Sequence, residues 1–313
     1  MEYRSLGCSG LKVSEISLGG NNFGWYADEP TSISVIHHSL DLGINYIDTA
    51  DIYDRGTSET FIGKALKGRR SRVILATKFG HPMGDGPNEK GGSRHYMIQA
   101  IENSLRRLDT DYIDLYQIHI PDPTTPIDET LRAFEDLIRS GKVRYIGCSN
   151  FAAWQLCEAL WTAKVCNLSS FVTVQSRYNI LEREIEKELV PCCQAYNIGI
   201  IPWGPLAGGF LTGKYDRGMK PEFYGTQPKP PPIYNPIFLD THWDKLVKLE
   251  RFASECGHKL ADLAIAWLLA KPYVRTVIAG VRTKEQVSAN VVASEWKLMV
   301  EELDQVESAV HGS

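Results

Sequence analysis

The chain has no run approaching the roughly 18 uninterrupted apolar residues that a membrane span requires. Its first residues, Met1-Glu2-Tyr3-Arg4-Ser5-Leu6-Gly7, lack the basic start and apolar stretch of an export signal. A cytoplasmic protein is the expectation. An excess of charge of either sign is also missing: 34 Lys and Arg face 38 Asp and Glu, for a formal net charge of -4. That balance argues against nucleic acid or an acidic membrane surface as the main partner. The seven cysteines are odd in number, and nowhere are two of them separated by two residues, as zinc or redox pairs require. Reduced, mostly buried thiols and no metal site are expected. The dinucleotide fingerprint G-x-G-x-x-G is absent as well.

What is present is ordinary globular material, 313 residues with 43% hydrophobic and 23% charged, enough for a sizeable core. Short β-branched runs alternate with longer stretches of helical period. The strands read as Glu15 to Gly19, Asn45 to Thr49, Val73 to Lys78, Ile113 to His119, Tyr145 to Ser149, Phe171 to Gln175, Gly199 to Trp203 and Thr276 to Ala279. Between them, Pro30 suits the first turn of a helix that Gly43 closes, and Asp128 and Glu129 suit the first turn of one ending at Gly141. Ile127, Leu131, Phe134 and Ile138 recur at helical spacing and form one apolar face. Eight strand-helix units in this length fit a single (β/α)₈ TIM barrel spanning residues 1–313. Tyr3 to Leu6 and Val13 to Ile16, flanking Gly7-Cys8-Ser9-Gly10, read as an N-terminal β-hairpin capping the barrel floor. Tyr215 to Asp240 carries six prolines and reads as a long loop after the seventh barrel strand, over the mouth.

In such barrels the reactive groups gather at the C-terminal ends of the strands. Asp48 stands at the end of the second strand and Tyr53 follows it, Lys78 ends the third and His119 ends the fourth. Taken singly, each has a bland reading as a loop aromatic, a strand-end cation, a cap or a core histidine. Converging in one mouth, they compose a proton-donating site. A phenol is a sluggish acid at neutral pH because its ordinary pKa is near 10. A nearby ammonium favours the phenolate, and a carboxylate beside the ammonium holds it charged. Tyr53, Lys78 and Asp48 supply those three functions, and His119 can donate to a developing oxyanion or relay protons.

Several stretches now carry a resemblance: Asp48-Thr49-Ala50-Asp51-Ile52-Tyr53, Gly56 to Leu66, Ala76-Thr77-Lys78, Gln117-Ile118-His119-Ile120-Pro121-Asp122, Gly141 to Asn150, and Pro202-Trp203-Gly204-Pro205-Leu206-Ala207-Gly208-Gly209. In order and over nearly the whole chain, they resemble the aldo-keto reductase family, in the branch related to potassium-channel β-subunits. The resemblance implies reduction of aldehydes or ketones to alcohols, with Asp48, Tyr53, Lys78 and His119 as the catalytic residues and a small-molecule carbonyl as substrate.

No side chain donates hydride, so a carrier is needed, and the resemblance implies NADPH/NADP⁺. Gly208 to Lys214 is a near miss to a phosphate loop, with Tyr215 where a magnesium-holding Ser or Thr would stand, so a metal-free pyrophosphate cradle is expected. The stretch after the eighth strand suits phosphate binding, and Arg282 can fork onto a phosphate. By resemblance, Gly280, Arg282, Gln286 and Asn290 hold the adenosine 2′-phosphate and adenine. The resemblance also implies that Ser149, Asn150 and Gln175 hold the nicotinamide carboxamide and that Gly204, Pro205 and Leu206 bind the cofactor, while the flat ring of Trp203 at the end of strand seven suits stacking on nicotinamide. Gly20, Asn21 and Asp48 complete the lining. Three departures from the branch stand out: Gly204 for a common Ser, Ala279 for a common Pro, and Asp54 where Gly is frequent. Substrate specificity is expected in loops after strands one, four and seven, including Trp25, Tyr26, His81 and the proline-rich segment.

Two other readings compete. One is an NADP(H)-binding regulatory subunit of a channel or complex, against which His119 counts, because channel-associated members carry Asn there. The other is a Schiff-base lyase using Lys78 as nucleophile.

Overall fold

The computed structural model of the protein describes residues 1–217 and 240–311. Strands β1 (Tyr3–Ser5) and β2 (Lys12–Ser14) form an antiparallel pair that matches Tyr3 with Ser14 and Ser5 with Lys12. In their connection Gly7 takes φ +58, and a Cβ there would lie 1.9 Å from the Val172 carbonyl oxygen. Only glycine lets the hairpin press this closely onto the barrel.

Eight strands follow: β3 (Ile16–Gly19), β4 (Tyr46–Asp48), β5 (Ile74–Phe79), β6 (Ile113–Ile118), β7 (Val143–Ser149), β8 (Thr173–Arg177), β9 (Gly199–Trp203) and β10 (Val277–Gly280). They pair in parallel in the order β10-β3-β4-β5-β6-β7-β8-β9, and a parallel bridge between Ile200 and Val274 joins the two ends. The fold is the (β/α)₈ barrel that the sequence leads one to expect. Around it run α1 (Glu29–Asp41), α2 (Thr57–Ala65), α3 (Arg94–Leu108), α4 (Ile127–Arg139), α5 (Ala153–Cys166), α6 (Leu189–Tyr196), α8 (Leu260–Leu269) and α9 (Lys284–Ala293). Two further helices, α7 (Asp240–Glu255) and α10 (Val300–His311), pack on each other.

Local chemistry sets the helix ends. The Asp28 carboxylate accepts from the Thr31 amide at 3.0 Å with Pro30 in the first turn of α1, and Gly43 beyond its end takes φ +87. On α4, Leu131 and Phe134 are fully buried, and Ile127 and Ile138 pack against the same core.

Alternation along the strands divides the apolar residues into two cores. One lies between sheet and helices and contains Ile47, Leu75, Phe79, Tyr116 and Val174. The other is the barrel interior, where Tyr46, Ala76, Leu115, Ile201 and Ile278 meet Leu6 and Val13 of the hairpin. The hairpin therefore plugs the floor. Continuing each inward row toward the strand C-termini leads from Tyr46 to Asp48, from Ala76 to Lys78, from Leu115 to Gln117 and from Thr173 to Gln175. The barrel interior changes from apolar to polar at its mouth.

Strand boundaries lie within two residues of expectation. The largest differences are β2, which ends at Ser14 rather than Ile16, β7, which begins at Val143 rather than Tyr145, and β8, which runs Thr173–Arg177 rather than Phe171 to Gln175. Phe171 is apolar because it packs in the outer core and Val172 because it meets the hairpin plug, so their hydrophobicity reports the floor rather than the paired strand. The long loop expected from Tyr215 to Asp240 lies for the most part outside the described residues.

Candidate active site

The chain after β4 is tied to β5 by backbone hydrogen bonds, the Thr49 amide to the Ala76 carbonyl at 2.9 Å and the Asp51 amide to the Lys78 carbonyl at 3.0 Å. These fix Tyr53, in the short turn Tyr53–Gly56, relative to Lys78 on β5. Asp54 and Arg55 then take φ +47 and +50. That left-handed backbone is the physical reason glycine suits position 54; here Asp54 accepts it, its side chain lying against Gly24. His119, just past β6, is held next to β5 by its amide, which donates to the Phe79 carbonyl at 2.8 Å.

Lys78 is wholly buried, and its ammonium has three donors to place. They meet Asp48 Oδ2 at 2.6 Å, the Thr49 carbonyl at 2.9 Å and the Tyr53 hydroxyl at 3.4 Å. Burial alone would drive the proton off, but the Asp48 carboxylate, then Tyr53, outweigh it and raise the pKa above the ordinary lysine value. Lys78 is an ammonium, which argues against a nucleophilic Schiff-base role. The other oxygen of Asp48 accepts from Gln175 Nε2 at 2.9 Å and from Gln117 Nε2 at 3.3 Å. The carboxylate, itself buried, is thus fully hydrogen-bonded, which a buried charge requires.

The His119 ring stands edge-on to Tyr53 with centroids 5.9 Å apart, and edge-on to His81 at 4.5 Å. Burial, then the charges of Lys78 and His81, hold its pKa well below the ordinary histidine range. It is a neutral imidazole, and its buried Nδ1 has no hydrogen-bond partner among the described residues.

Asp48, Tyr53, Lys78 and His119 therefore come together, as their strand-end positions imply. Of the residues expected at a nicotinamide, Asn150, at φ +59, ties several together: its amide nitrogen donates to Ser149 Oγ at 3.1 Å and to the His119 carbonyl at 3.0 Å, and its oxygen accepts from the Trp203 indole at 3.1 Å. Gln175 has its amide nitrogen committed to Asp48. Gly204 takes φ +69, and a Cβ on it would meet nothing within 4 Å. Pro205 and Leu206 lead into the turn Ala207–Thr212, where Gly208 and Gly209 take φ +66 and +94. A Cβ on Gly209 would sit 2.6 Å from Lys214 Nζ.

On the other side of the mouth, Gly20 and Asn21 form a short turn after β3. Gly20 accepts from Ser58 Oγ at 2.8 Å, and Asn21 Oδ1 lies 2.6 Å from where Gly280 would carry a Cβ. The Arg282 guanidinium rests 4.1 Å over the Tyr26 ring, and its amide donates to Gln286 Oε1 at 2.7 Å. Asn290 is buried on α9. Trp25 and Tyr26 follow the first barrel strand as expected, whereas His81 stands after the third, not the fourth.

Gln117 also belongs to this cluster, beyond the residues that strand-end position and resemblance single out. Its signal was parity: it faces inward with Leu115, two residues before His119. The contact of His81 with His119 had no signal in sequence, because it depends on how the loop after β5 turns back.

Fold and cluster together define a barrel protein with a buried ionised pair at its strand ends. The sequence profile of the Aldo/keto reductase family matches residues 15–311, and the chain belongs to that family. An uncharacterized oxidoreductase, YrpG, of Bacillus subtilis (strain 168) is 41% identical over 95% of this chain and 92% of its own length. A probable voltage-gated potassium channel subunit beta of Oryza sativa subsp. japonica is 36% identical over 99% and 97%. The aldo-keto reductase YhdN of Bacillus subtilis (strain 168) is 35% identical over 100% and 95%. The protein is accordingly an oxidoreductase of a family that generally uses nicotinamide cofactors. No described helix is long and apolar enough to cross a membrane.

Proposed function

We propose that the protein reduces aldehyde or ketone carbonyls to alcohols with NADPH, using Tyr53 as general acid. The observation that carries this reading is the buried Lys78 ammonium, in contact with the Asp48 carboxylate at 2.6 Å and the Tyr53 hydroxyl at 3.4 Å.

The residues around the mouth fit a dinucleotide. Gly204 offers open backbone beside the Trp203 indole, consecutive left-handed glycines line the turn before Lys214, and Arg282 stands across the mouth. Ser149, Asn150 and Gln175 would receive the carboxamide, and Trp203 to Leu206 the nicotinamide ring. Gly208 and Lys214 would receive the pyrophosphate, and Gly280, Arg282, Gln286 and Asn290 the adenosine 2′-phosphate and adenine. Gly20, Asn21 and Asp48 complete the wall. When bound, the nicotinamide supplies hydride to the carbonyl carbon.

The chain's own groups handle the proton. Tyr53 donates its hydroxyl proton to the carbonyl oxygen as negative charge develops there. The Lys78 ammonium offsets the charge left on the phenolate, and Asp48 keeps Lys78 protonated and aimed. His119, neutral, is suited to orient the carbonyl oxygen by an N–H donor without adding a second cation beside Lys78.

The channel-subunit name of the rice relative favours a second reading, an NADP(H)-binding regulatory protein with little turnover. A screen of aliphatic, aromatic and sugar-derived carbonyls by loss of NADPH absorbance separates the two. Turnover with at least one class is expected; tight NADPH binding with no turnover across the screen would favour regulation.

A further inference from the structure

All seven cysteines are free thiols, and two of them touch. Cys157, on the second turn of α5, and Cys192, on α6, bring their sulfurs to 3.4 Å across 35 residues of sequence. A disulfide bond is about 2.0 Å long, so bonding asks the sulfurs to approach by little more than about an ångström. Cys192 Sγ also points to the Ala153 carbonyl at 3.9 Å, which keeps it against the first turn of α5. Both residues are half-buried, open to a small reagent, whereas Cys193 and Cys148 are wholly buried.

We propose that Cys157 and Cys192 are a redox-modification site, forming a reversible disulfide that ties α5 to α6. The oxidant is a low-molecular-weight disulfide of the oxidised-glutathione class. One protein thiol, as its thiolate, attacks a reagent sulfur, giving a mixed disulfide and releasing one reduced thiol. The second protein thiol loses its proton to solvent and attacks the protein sulfur of that mixed disulfide, releasing the other reduced thiol. Two protein thiols are oxidised and one reagent disulfide becomes two thiols, so atoms and electrons balance. Burial, then the hydrogen bond with Cys157, push the Cys192 thiol up to about 12. The exchange is therefore slow at neutral pH and faster in alkali. The closed loop contains β8, whose Gln175 holds Asp48, yet the proposal stands apart from any role of that site.

The test uses wild-type protein incubated with excess oxidised glutathione at mildly alkaline pH, then alkylated and peptide-mapped without reduction. The expected product is a peptide pair joining Cys157 to Cys192, with the intact mass of the oxidised protein, taken before alkylation, lower by two hydrogens and the link reversed by dithiothreitol. Cys192→Ser should abolish the link and Cys256→Ser should keep it. Mixed disulfides alone at Cys157 or Cys192, full alkylation of both, or cross-links only through other cysteines would each overturn the proposal. The deciding map is that of the wild type, so a variant that folds poorly does not alter the outcome.

Discussion

The ends of β4 to β6 and the ends of β9 and β10 face the same mouth but are built in opposite ways. At the first, Asp48 and Lys78 are almost wholly buried, and the ammonium donors and both carboxylate oxygens have hydrogen-bond partners. At the second, Gly280 and Lys214 are exposed, Gly204, Gly208 and Gly209 take left-handed backbone, and Arg282 rests on an aromatic ring. A charge that must hold one position is pinned by strands and desolvated. The rim proposed to receive the dinucleotide is built of glycine backbone and solvent-accessible cations. The first region is therefore expected to be intolerant in stability, and the second to be tolerant in stability but sensitive in binding.

The sharpest way to break this contrast is Lys78→Met. It leaves the Asp48 carboxylate uncompensated in the barrel, and removing one partner of a buried pair costs about 3–5 kcal/mol. Lys214→Met, at an exposed position, should cost less than about 0.5 kcal/mol. Denaturant unfolding of both variants checks it, and equal losses would erase the distinction.

Arg282→Ala tests the rim from the binding side. Losing a charge-assisted contact of about 1.5–3 kcal/mol should weaken NADPH by roughly 10- to 100-fold. NADH, lacking the 2′-phosphate, should lose little, as titration of cofactor binding would reveal. Equal losses for the two would remove Arg282 from 2′-phosphate recognition.

The smallest effect is in acid. His119 has its folded pKa depressed below the ordinary 6.5. Above 6.5 both folded and unfolded chains hold it neutral and its contribution is intact. Below 6.5 the unfolded chain takes up a proton that the native state refuses, so stability falls as the pH drops. That loss is about 1.4 kcal/mol per pH unit at most. His119→Gln should flatten the acid limb of the stability profile by up to that slope, while an unchanged limb would place the loss elsewhere; His81, depressed in the same direction, contributes to what remains.

The buried region was much easier to read from sequence than the rim. Asp48 and Lys78 are legible because each stands at a strand end and a barrel gathers its strand ends in one mouth, whereas Gln175 is reached through the family resemblance. His119 was placed by its strand end. Gln117 is not itself a strand end, and its inward direction follows from the parity of β6 that the structure shows. The rim depends on loop paths: the turn through Gly208 and Gly209, and the stack of Arg282 on Tyr26, rest on left-handed backbone and long-range contact that no short pattern fixes. Helices α7 and α10 escaped for a similar reason, since they pack on each other outside the strand-helix rhythm. The apolar Phe171 and Val172 shifted a strand boundary because the barrel floor buries them too.

In the proposed reaction Tyr53, with Lys78 beside it, delivers the proton. Single-turnover reduction of a reactive aldehyde by prebound NADPH, comparing wild type with Tyr53→Phe, tests it most directly. The expected result is unchanged NADPH affinity and a reductive step slower by roughly 10²- to 10⁴-fold. A Tyr53→Phe rate within about twofold of wild type would contradict it.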